Sequence, residues 1–186
     1  MDLSTLNAKN LAFTTDRLTI RLMTNQDFEY FKQLQNDPEL MTFIGPILEE
    51  RALKEKFSAR VNCLEDLSQW FTFLIFDQDT KVFCGSVGFL LQDQDSQRVE
   101  IGYLALPAAQ GKGVITEAAN ALLEFIFNQL QARKVIANCA IQNIASWKVM
   151  EKLGLLREGE LKSDFHVNDV WYDSYCYGLV NHQANQ

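Results

Sequence analysis

Residues 109–118 read AQGKGVITEA and join a predicted strand to a long helix predicted over residues 110–129. The two glycines, Gly111 and Gly113, allow the backbone to turn tightly and to approach a ligand closely. The first N–H groups of a helix have no acceptors within it and lie at the positive end of its dipole, so they favour phosphate groups. Lys112 adds a positive charge. The segment matches neither the nucleoside triphosphate loop nor the dinucleotide fingerprint, so a simple turn stays open as an alternative.

The strand before this loop, residues 98–106, contains one acidic residue. Period-two alternation places Glu100 and Gly102 on one face of the strand and the intervening residues on the other. Burial of a carboxyl group favours its neutral form, which suits a general base near neutral pH. A partly exposed carboxylate paired with Arg98 or Arg21 is the alternative.

Hydrophobic periodicity along the rest of the chain predicts a mixed sheet with helices on its faces. Strands are predicted over residues 18–23, 71–76, 82–91, 98–106 and 135–141 and on both sides of a turn at residues 166–169. Helices are predicted over residues 27–35, 49–64, 110–129 and 144–153. Asn36-Asp37-Pro38 is expected to end the first helix, and Gly154 to cap the last. We expect a single domain over residues 13–180, with an N-terminal arm over residues 1–12 and a C-terminal tail over residues 181–186.

The composition excludes several classes of protein. The 186-residue chain is 47% hydrophobic and 22% charged, which is typical of a globular protein. No apolar stretch approaches the roughly 20 residues that span a bilayer, and no secretory signal is visible, so we expect a cytoplasmic protein without a membrane partner. The net charge of -7 argues against nucleic acid as a partner and is compatible with a cationic substrate or with solubility alone. Scattered cysteines and two distant histidines predict neither disulfides nor a metal site.

Five motifs in order carry a resemblance to a known family. They are EIGY at 100–103, QGKG at 110–113, TEA at 116–118, NIAS at 143–146 and EKLGL at 151–155, and they follow an opening TDRLTIR at 15–21. Together they resemble the GNAT (Gcn5-related) N-acetyltransferases, and most closely the branch that acetylates the N-termini of ribosomal proteins. The resemblance covers essentially residues 15–177.

The resemblance implies both a fold and an activity. The fold is a single mixed, mostly antiparallel twisted sheet of about six to seven strands, flanked by helices, with a splayed parallel strand pair at the cofactor site. The activity is acyl transfer from acetyl-CoA to a primary amine, by direct attack in a ternary complex. A protein N-terminus is the preferred acceptor, and a small amine such as a polyamine or an aminoglycoside is the alternative. A third interpretation is a non-catalytic acyl-CoA-binding module. The protein is expected to be a monomer or a homodimer.

The resemblance also implies roles for individual residues. Glu100 accepts a proton from the incoming amine, and Ser146 assists the departing thiolate. The strands over residues 98–106 and 135–141 separate, which leaves room for the pantetheine arm to pair with the first of them. The residues expected to hold acetyl-CoA are Leu104, Leu106, Gln110, Gly111, Lys112, Gly113, Val114, Ile115, Thr116, Asn143 and Ser146.

Two positions depart from the family pattern. Ile115 stands where alanine or glycine is usual, so its side chain must point away from the phosphates. Met150 stands where many relatives have a tyrosine general acid, which leaves Ser146 or solvent for that role. Acceptor choice is expected to depend on the helical segment 27–64 and on the last two strands, where no decisive motif is present.

Overall fold

A computed structural model describes residues 1–7 and 10–181. The strands are β1 (Ala12–Thr14), β2 (Leu18–Leu22), β3 (Phe71–Asp77), β4 (Phe83–Asp93), β5 (Arg98–Ala105), β6 (Lys134–Ala140), β7 (Leu156–Val167) and β8 (Val170–Val180). The α-helices are α1 (Phe28–Gln35), α2 (Pro38–Met41), α3 (Glu50–Val61), α4 (Val114–Glu124) and α5 (Ile144–Lys152). In this part of the chain no helix combines the length and the apolar character needed to cross a membrane.

The described strands form one sheet in the order β1-β2-β3-β4-β5-β6-β8-β7. Neighbouring strands are antiparallel except for β5 and β6, which are parallel. Their parallel register ends at Glu100 and Ile136, although β5 continues to Ala105 and β6 to Ala140. The two strands therefore separate beyond Glu100. The predicted mixed, mostly antiparallel sheet with one splayed parallel pair is confirmed.

The sheet has more strands than the six to seven predicted, because the described residues form eight. The additional strand is β1, which begins inside the predicted arm and pairs Ala12 with Arg21 of β2. Three residues are too few to show a period-two pattern, so the sequence carried no strand signal there. Leu11, just before β1, is 1% exposed and belongs to the core. The part of the predicted tail over residues 182–186 lies outside the described residues.

The helix predicted over residues 110–129 begins later, at Val114. Gly111 and Gly113 have φ angles of 71° and 78°, in the left-handed region, so the backbone cannot be helical across them. A π-helical segment, Phe125–Gln129, continues α4 to the predicted end. The helix predicted over residues 49–64 is likewise shorter and spans Glu50–Val61.

Pro38 begins a helix as well as following one. It occupies the first turn of α2, where the missing N–H of proline costs nothing, and Asp37 caps this helix by accepting hydrogen bonds from Glu39 N and Leu40 N. The other two local predictions are confirmed. Gly154 follows α5 with a φ of 82°, and the last two strands are joined by Asn168-Asp169 within the predicted turn.

Two hydrophobic cores cover the two faces of the sheet. On one face α4 packs against β4 and β5, above aromatic residues such as Phe71 and Phe89, whose rings stack with centroids 4.6 Å apart. Burying one such side chain contributes roughly 1.5–3 kcal/mol. On the other face α1 and α3 pack over a smaller core that includes Phe31 and Leu74. Strand β5 therefore presents alternate residues to the two cores, as predicted.

Candidate active site

Glu100 lies at the point where β5 and β6 part. It is the last β5 residue in register with β6, and its partner across the strands is Ile136. Burial raises the pKa of the Glu100 carboxyl group, while a hydrogen bond with Asn138 of β6 acts in the opposite direction. The net shift is upward, in the direction expected for a general base that works near neutral pH.

The alternative in which Glu100 pairs with a nearby arginine is not what the structure contains. Arg21 donates two hydrogen bonds of 2.7 Å to the carboxylate of Asp27. Arg98 lies 3.9 Å from an oxygen of Asp93 and donates a hydrogen bond of 2.6 Å to Gln92. Both candidate partners are thus engaged elsewhere.

The glycine loop presents free N–H groups at the start of α4. The first hydrogen bond within the helix runs from Glu117 N to Gly113 O at 3.0 Å. The N–H groups of Val114, Ile115 and Thr116 therefore have no acceptor inside the helix. The Ile115 side chain is only 8% exposed and packs in the core, so it points away from this surface, as the departure from the family pattern required.

A second cation stands beside the loop, in addition to Lys112. Arg17 Nε donates a hydrogen bond of 2.8 Å to the Glu117 carboxylate, and Arg17 Nη1 lies 3.4 Å from the carbonyl oxygen of Lys112. Although burial acts to raise it, hydrogen bonds from Thr15 and Arg17 hold the pKa of Glu117 below its usual value. Arg17 lies in the opening motif TDRLTIR, but nothing local in that motif predicted its contact with the loop.

Ser146 lies in the first turn of α5 and contacts β5. Asn143 caps the helix, since its Oδ1 accepts a hydrogen bond of 3.1 Å from Ser146 N. The Ser146 hydroxyl lies 3.3 Å from the Tyr103 hydroxyl, which donates a hydrogen bond of 2.8 Å to the Ser146 carbonyl oxygen. Burial raises the pKa of Tyr103 far above its ordinary value, so the phenol stays protonated. Met150 is 2% exposed and is a core residue.

The sequence did not predict Tyr103 as a site residue, because Tyr103 lies on the apolar face of β5, where an aromatic side chain is expected to belong to the core. That face is opposite to the face of Glu100. Since Ser146 contacts Tyr103, Glu100 and Ser146 approach the gap between β5 and β6 from opposite sides of the sheet. The structure thus brings the two predicted catalytic residues to one gap without direct contact between them.

The backbone directions of β5 bear on the predicted pantetheine site. Leu106 N donates to Cys84 O at 2.9 Å, and Leu106 O accepts from Ala109 N at 2.8 Å, so neither group is free. Leu104 lies two residues earlier, opposite Ser86, and by alternation its backbone groups also face β4.

Tyr103 and Ala105, which alternate with the two leucines, point the other way. The Ala105 carbonyl accepts a hydrogen bond of 3.1 Å from Gln110 Nε2, away from β4. By the same alternation, the backbone groups of Tyr103 point toward the gap. Tyr103 and Ala105, and not Leu104 and Leu106, therefore direct their N–H and C=O groups toward the space between β5 and β6.

A cavity of about 140 Å³ lies against β5 on the face of Glu100. It is lined by residues of β3, β4 and β5 and of the helices α1 and α3, and Gly102 forms part of its floor. The absence of a side chain at Gly102 lets the Trp70 ring lie against β5, because a Cβ atom at this position would lie 3.1 Å from that ring. Within residues 1–7 and 10–181, no three histidine, cysteine, aspartate or glutamate side chains are grouped so as to hold a metal ion.

Comparison with known proteins gives a consistent result. The family model described as an acetyltransferase (GNAT) domain matches residues 17–156. The uncharacterized N-acetyltransferase YnaD of Bacillus subtilis (strain 168) is 32% identical over 175 residues, which cover 92% of this chain and 98% of that protein. The ribosomal-protein-serine acetyltransferase of Escherichia coli (strain K12) is 29% identical over 108 residues, covering 58% of this chain and 59% of that protein.

Among solved structures, the spermidine N-acetyltransferase of Vibrio cholerae, in complex with CoA and spermine, superimposes with a TM-score of 0.80. It is 21% identical, and the match covers 92% of this chain and 100% of that chain. At this identity the likeness shows a shared fold. The region of the family match contains Glu100, the glycine loop and α5.

Proposed function

The chain belongs to the GNAT family of acetyltransferases, and from this premise we propose that it transfers the acetyl group of acetyl-CoA to the N-terminal amine of a protein. The observation that carries the proposal is the position of Glu100. This carboxyl group, with its raised pKa, stands where the parallel strands separate. A base at this point lies at the gap between the strands, on the face of β5 that also carries Gly102.

In the proposed reaction, Glu100 accepts the proton that the amine nitrogen loses. The nitrogen forms a bond to the carbonyl carbon of the thioester, and the carbon–sulfur bond breaks. The backbone N–H groups of β5 that point toward the gap stabilise the oxygen as it gains negative charge. The sulfur leaves as a thiolate, which is a tolerable leaving group because a free thiol has a pKa of about 8.5.

Ser146 is proposed to donate a hydrogen bond to the departing thiolate. Its hydroxyl group is held at the start of α5 by the Asn143 cap and by the contact with Tyr103. Tyr103 also anchors α5 to β5 through the Ser146 carbonyl, and it is therefore a positioning residue. Loss of the Ser146 hydroxyl is expected to slow the chemical step more than it weakens acetyl-CoA binding.

The start of α4 is proposed to hold the pyrophosphate of acetyl-CoA. The donor set fits this group, because three N–H groups without helical acceptors lie beside the cations Lys112 and Arg17. The pantetheine arm is proposed to pair with the backbone of Tyr103 and Ala105.

The choice of acceptor rests on the name of a relative. The Escherichia coli relative acts, by its name, on a serine of a ribosomal protein, which favours a protein N-terminus. A small amine, such as a polyamine or an aminoglycoside, is the competing acceptor. A non-catalytic acyl-CoA-binding module is disfavoured, because such a module has no need of a partly buried carboxyl group at the gap.

Titration calorimetry with acetyl-CoA tests the first half of the proposal. Micromolar binding is expected, and no binding at millimolar acetyl-CoA would refute the proposed donor. Release of CoA thiol in the presence of peptides, compared with spermidine and an aminoglycoside at equal concentration, tests the second half. Faster release with a small amine than with every peptide would replace the protein N-terminus as the acceptor.

A further inference from the structure

The cavity beside Gly102 is placed to receive the acceptor. Gly102 lies two residues beyond Glu100 on the same face of β5, which is about 7 Å along an extended strand. An amine that reaches Glu100 from this face brings the atoms next to it over the cavity. The side chains that line the cavity therefore contact the acceptor rather than acetyl-CoA.

Two cations of α3, Lys56 and Arg60, line this cavity. They are four residues apart, so they project from the same side of the helix. Arg60 donates a hydrogen bond of 3.0 Å to the Thr72 hydroxyl, and its guanidinium group lies 5.7 Å from the ring centre of Trp70. Lys56 Nζ donates a hydrogen bond of 2.7 Å to Gln35 Oε1. All of these partners are neutral.

Among the described residues that line the cavity there is no aspartate or glutamate. The exposed cations of the same helix differ in this respect, since Lys54 pairs with Glu50 at 2.6 Å and Arg51 with Glu55 at 3.1 Å.

Burial makes the two positive charges costly. It lowers the pKa of Arg60 to about 10. Burial, and then repulsion from Arg60, lowers the pKa of Lys56. Buried charges in proteins are normally paired, and two adjacent cations with neutral partners leave room for an anion.

We propose that Lys56 and Arg60 bind a carboxylate group of the acceptor, so that the enzyme selects amines carrying an acidic group and rejects polycations. The inference rests on the proposed function in that the acceptor is taken to be a protein N-terminus. The carboxylate is then an aspartate or glutamate side chain in the first residues, because two extended residues span about 7 Å. A polyamine brings further positive charge to two cations and is repelled. The local charge of the cavity is thus opposite to the net charge of the chain.

The test compares peptide amides that differ only by aspartate or asparagine at the first, second or third position, so that the tested side chain is the only carboxylate. Thiol release gives kcat/KM for the wild type, Lys56→Gln, Arg60→Gln and the control Lys54→Gln. The wild type is expected to prefer aspartate by about tenfold or more at one position, as for a hydrogen bond to a charged group. The preference is expected to fall toward one in the first two variants and to persist in the control.

Two further measurements distinguish the loss of a charge contact from the misfolding of a variant. The Arg60 guanidinium group lies over the rings of Phe31 and Trp70, so Arg60→Gln is compared with Lys56→Gln by thermal melting. If Arg60→Gln does not fold, the aspartate preference of Lys56→Gln alone tests the proposal. The charge reversal Lys56→Glu is expected to move the preference from aspartate toward lysine. Equal rates with aspartate and asparagine at every position in the wild type would overturn the proposal.

Small acceptors separate this inference from the choice of a protein N-terminus. If no peptide is acetylated but β-alanine is acetylated faster than β-alaninamide, with the same dependence on Lys56, the cavity assignment stands and the protein N-terminus is refuted. If spermidine is the best acceptor of the wild type, the cavity assignment falls. Failure of every acceptor, in a protein that binds acetyl-CoA, counts against both proposals.

Discussion

Replacement of Glu100 by glutamine tests the proposed base while keeping the size of the side chain. Glutamine retains groups for a hydrogen bond with Asn138 but cannot accept the proton of the amine. Loss of a general base lowers turnover by about 100-fold, which is about 2.7 kcal/mol of transition-state stabilisation. Acetyl-CoA affinity is expected to be unchanged, because Glu100 lies at the start of the gap between β5 and β6, away from the start of α4.

The pH dependence provides an independent readout. Burial raises the pKa of Glu100, and the base acts only when deprotonated. Wild-type kcat/KM is therefore expected to rise with pH through a pKa above the usual carboxyl value. This rise is expected to be absent in Glu100→Gln. A wild-type-like rate and profile in the variant would remove Glu100 from the mechanism.

Stability is expected to change in the opposite direction from activity. A carboxyl group with a raised pKa binds more protons in the folded than in the unfolded state, so the free energy of unfolding falls as pH rises from the unfolded toward the folded pKa of Glu100. The resulting penalty is present at neutral pH and is lost below the unfolded pKa. Glutamine does not ionise, so Glu100→Gln is expected to melt at or above the wild-type temperature. The control Glu124→Gln changes an exposed carboxylate at the end of α4 and is expected to alter neither property.

Three other substitutions test the remaining parts of the site, and a fourth, Gly154→Val, is a control. Gly113→Val forces a β-branched residue into the left-handed region, at a cost of roughly 1–2 kcal/mol, and is expected to weaken acetyl-CoA binding in calorimetry. Gly154→Val carries the same strain at the end of α5 and is expected to lower the melting temperature without weakening acetyl-CoA binding; equal affinity losses in both would refute the loop assignment. Ser146→Ala is expected to lower kcat in thiol-release assays with little change in acetyl-CoA affinity, and a defect in affinity alone would make Ser146 only a contact. Arg17→Gln removes an exposed ion pair worth at most about 1 kcal/mol of stability. It is nevertheless expected to weaken acetyl-CoA binding several-fold at low salt. If the variant binds acetyl-CoA as tightly as the wild type at every salt concentration, Arg17 is excluded from the phosphate site.

The local sequence predicted those features that depend on neighbouring residues. The turn at Gly111 and Gly113 follows from the conformational freedom of glycine, and both residues adopt positive φ. The alternation along β5 follows from the period of a strand, and it placed Glu100 and Gly102 on one face. The end of α5 at Gly154 follows from the same conformational freedom at a helix terminus.

Contacts that join distant segments could not be predicted from the local sequence. Arg17 reaches Glu117 across the fold, and Tyr103 reaches Ser146 at the start of α5. The backbone direction of Leu106 depends on its register with Cys84, which no periodicity records. The short strand β1 exists only because β2 offers an edge with which it can pair.

The sequence by itself determined the local elements of the candidate site, since the glycine loop before α4 and the carboxyl group on an interior strand are read from residues close together in the chain. Only the tertiary structure decided which charges line the cavity. Lys56 and Arg60 lie on one helix, Trp70 follows it, and Gly102 lies on another strand. Each of these residues has an ordinary structural explanation alone. Their juxtaposition in a cavity whose described lining residues include no aspartate or glutamate arises from packing, because the electrostatic field at a point depends on distances in space and not on separation along the chain.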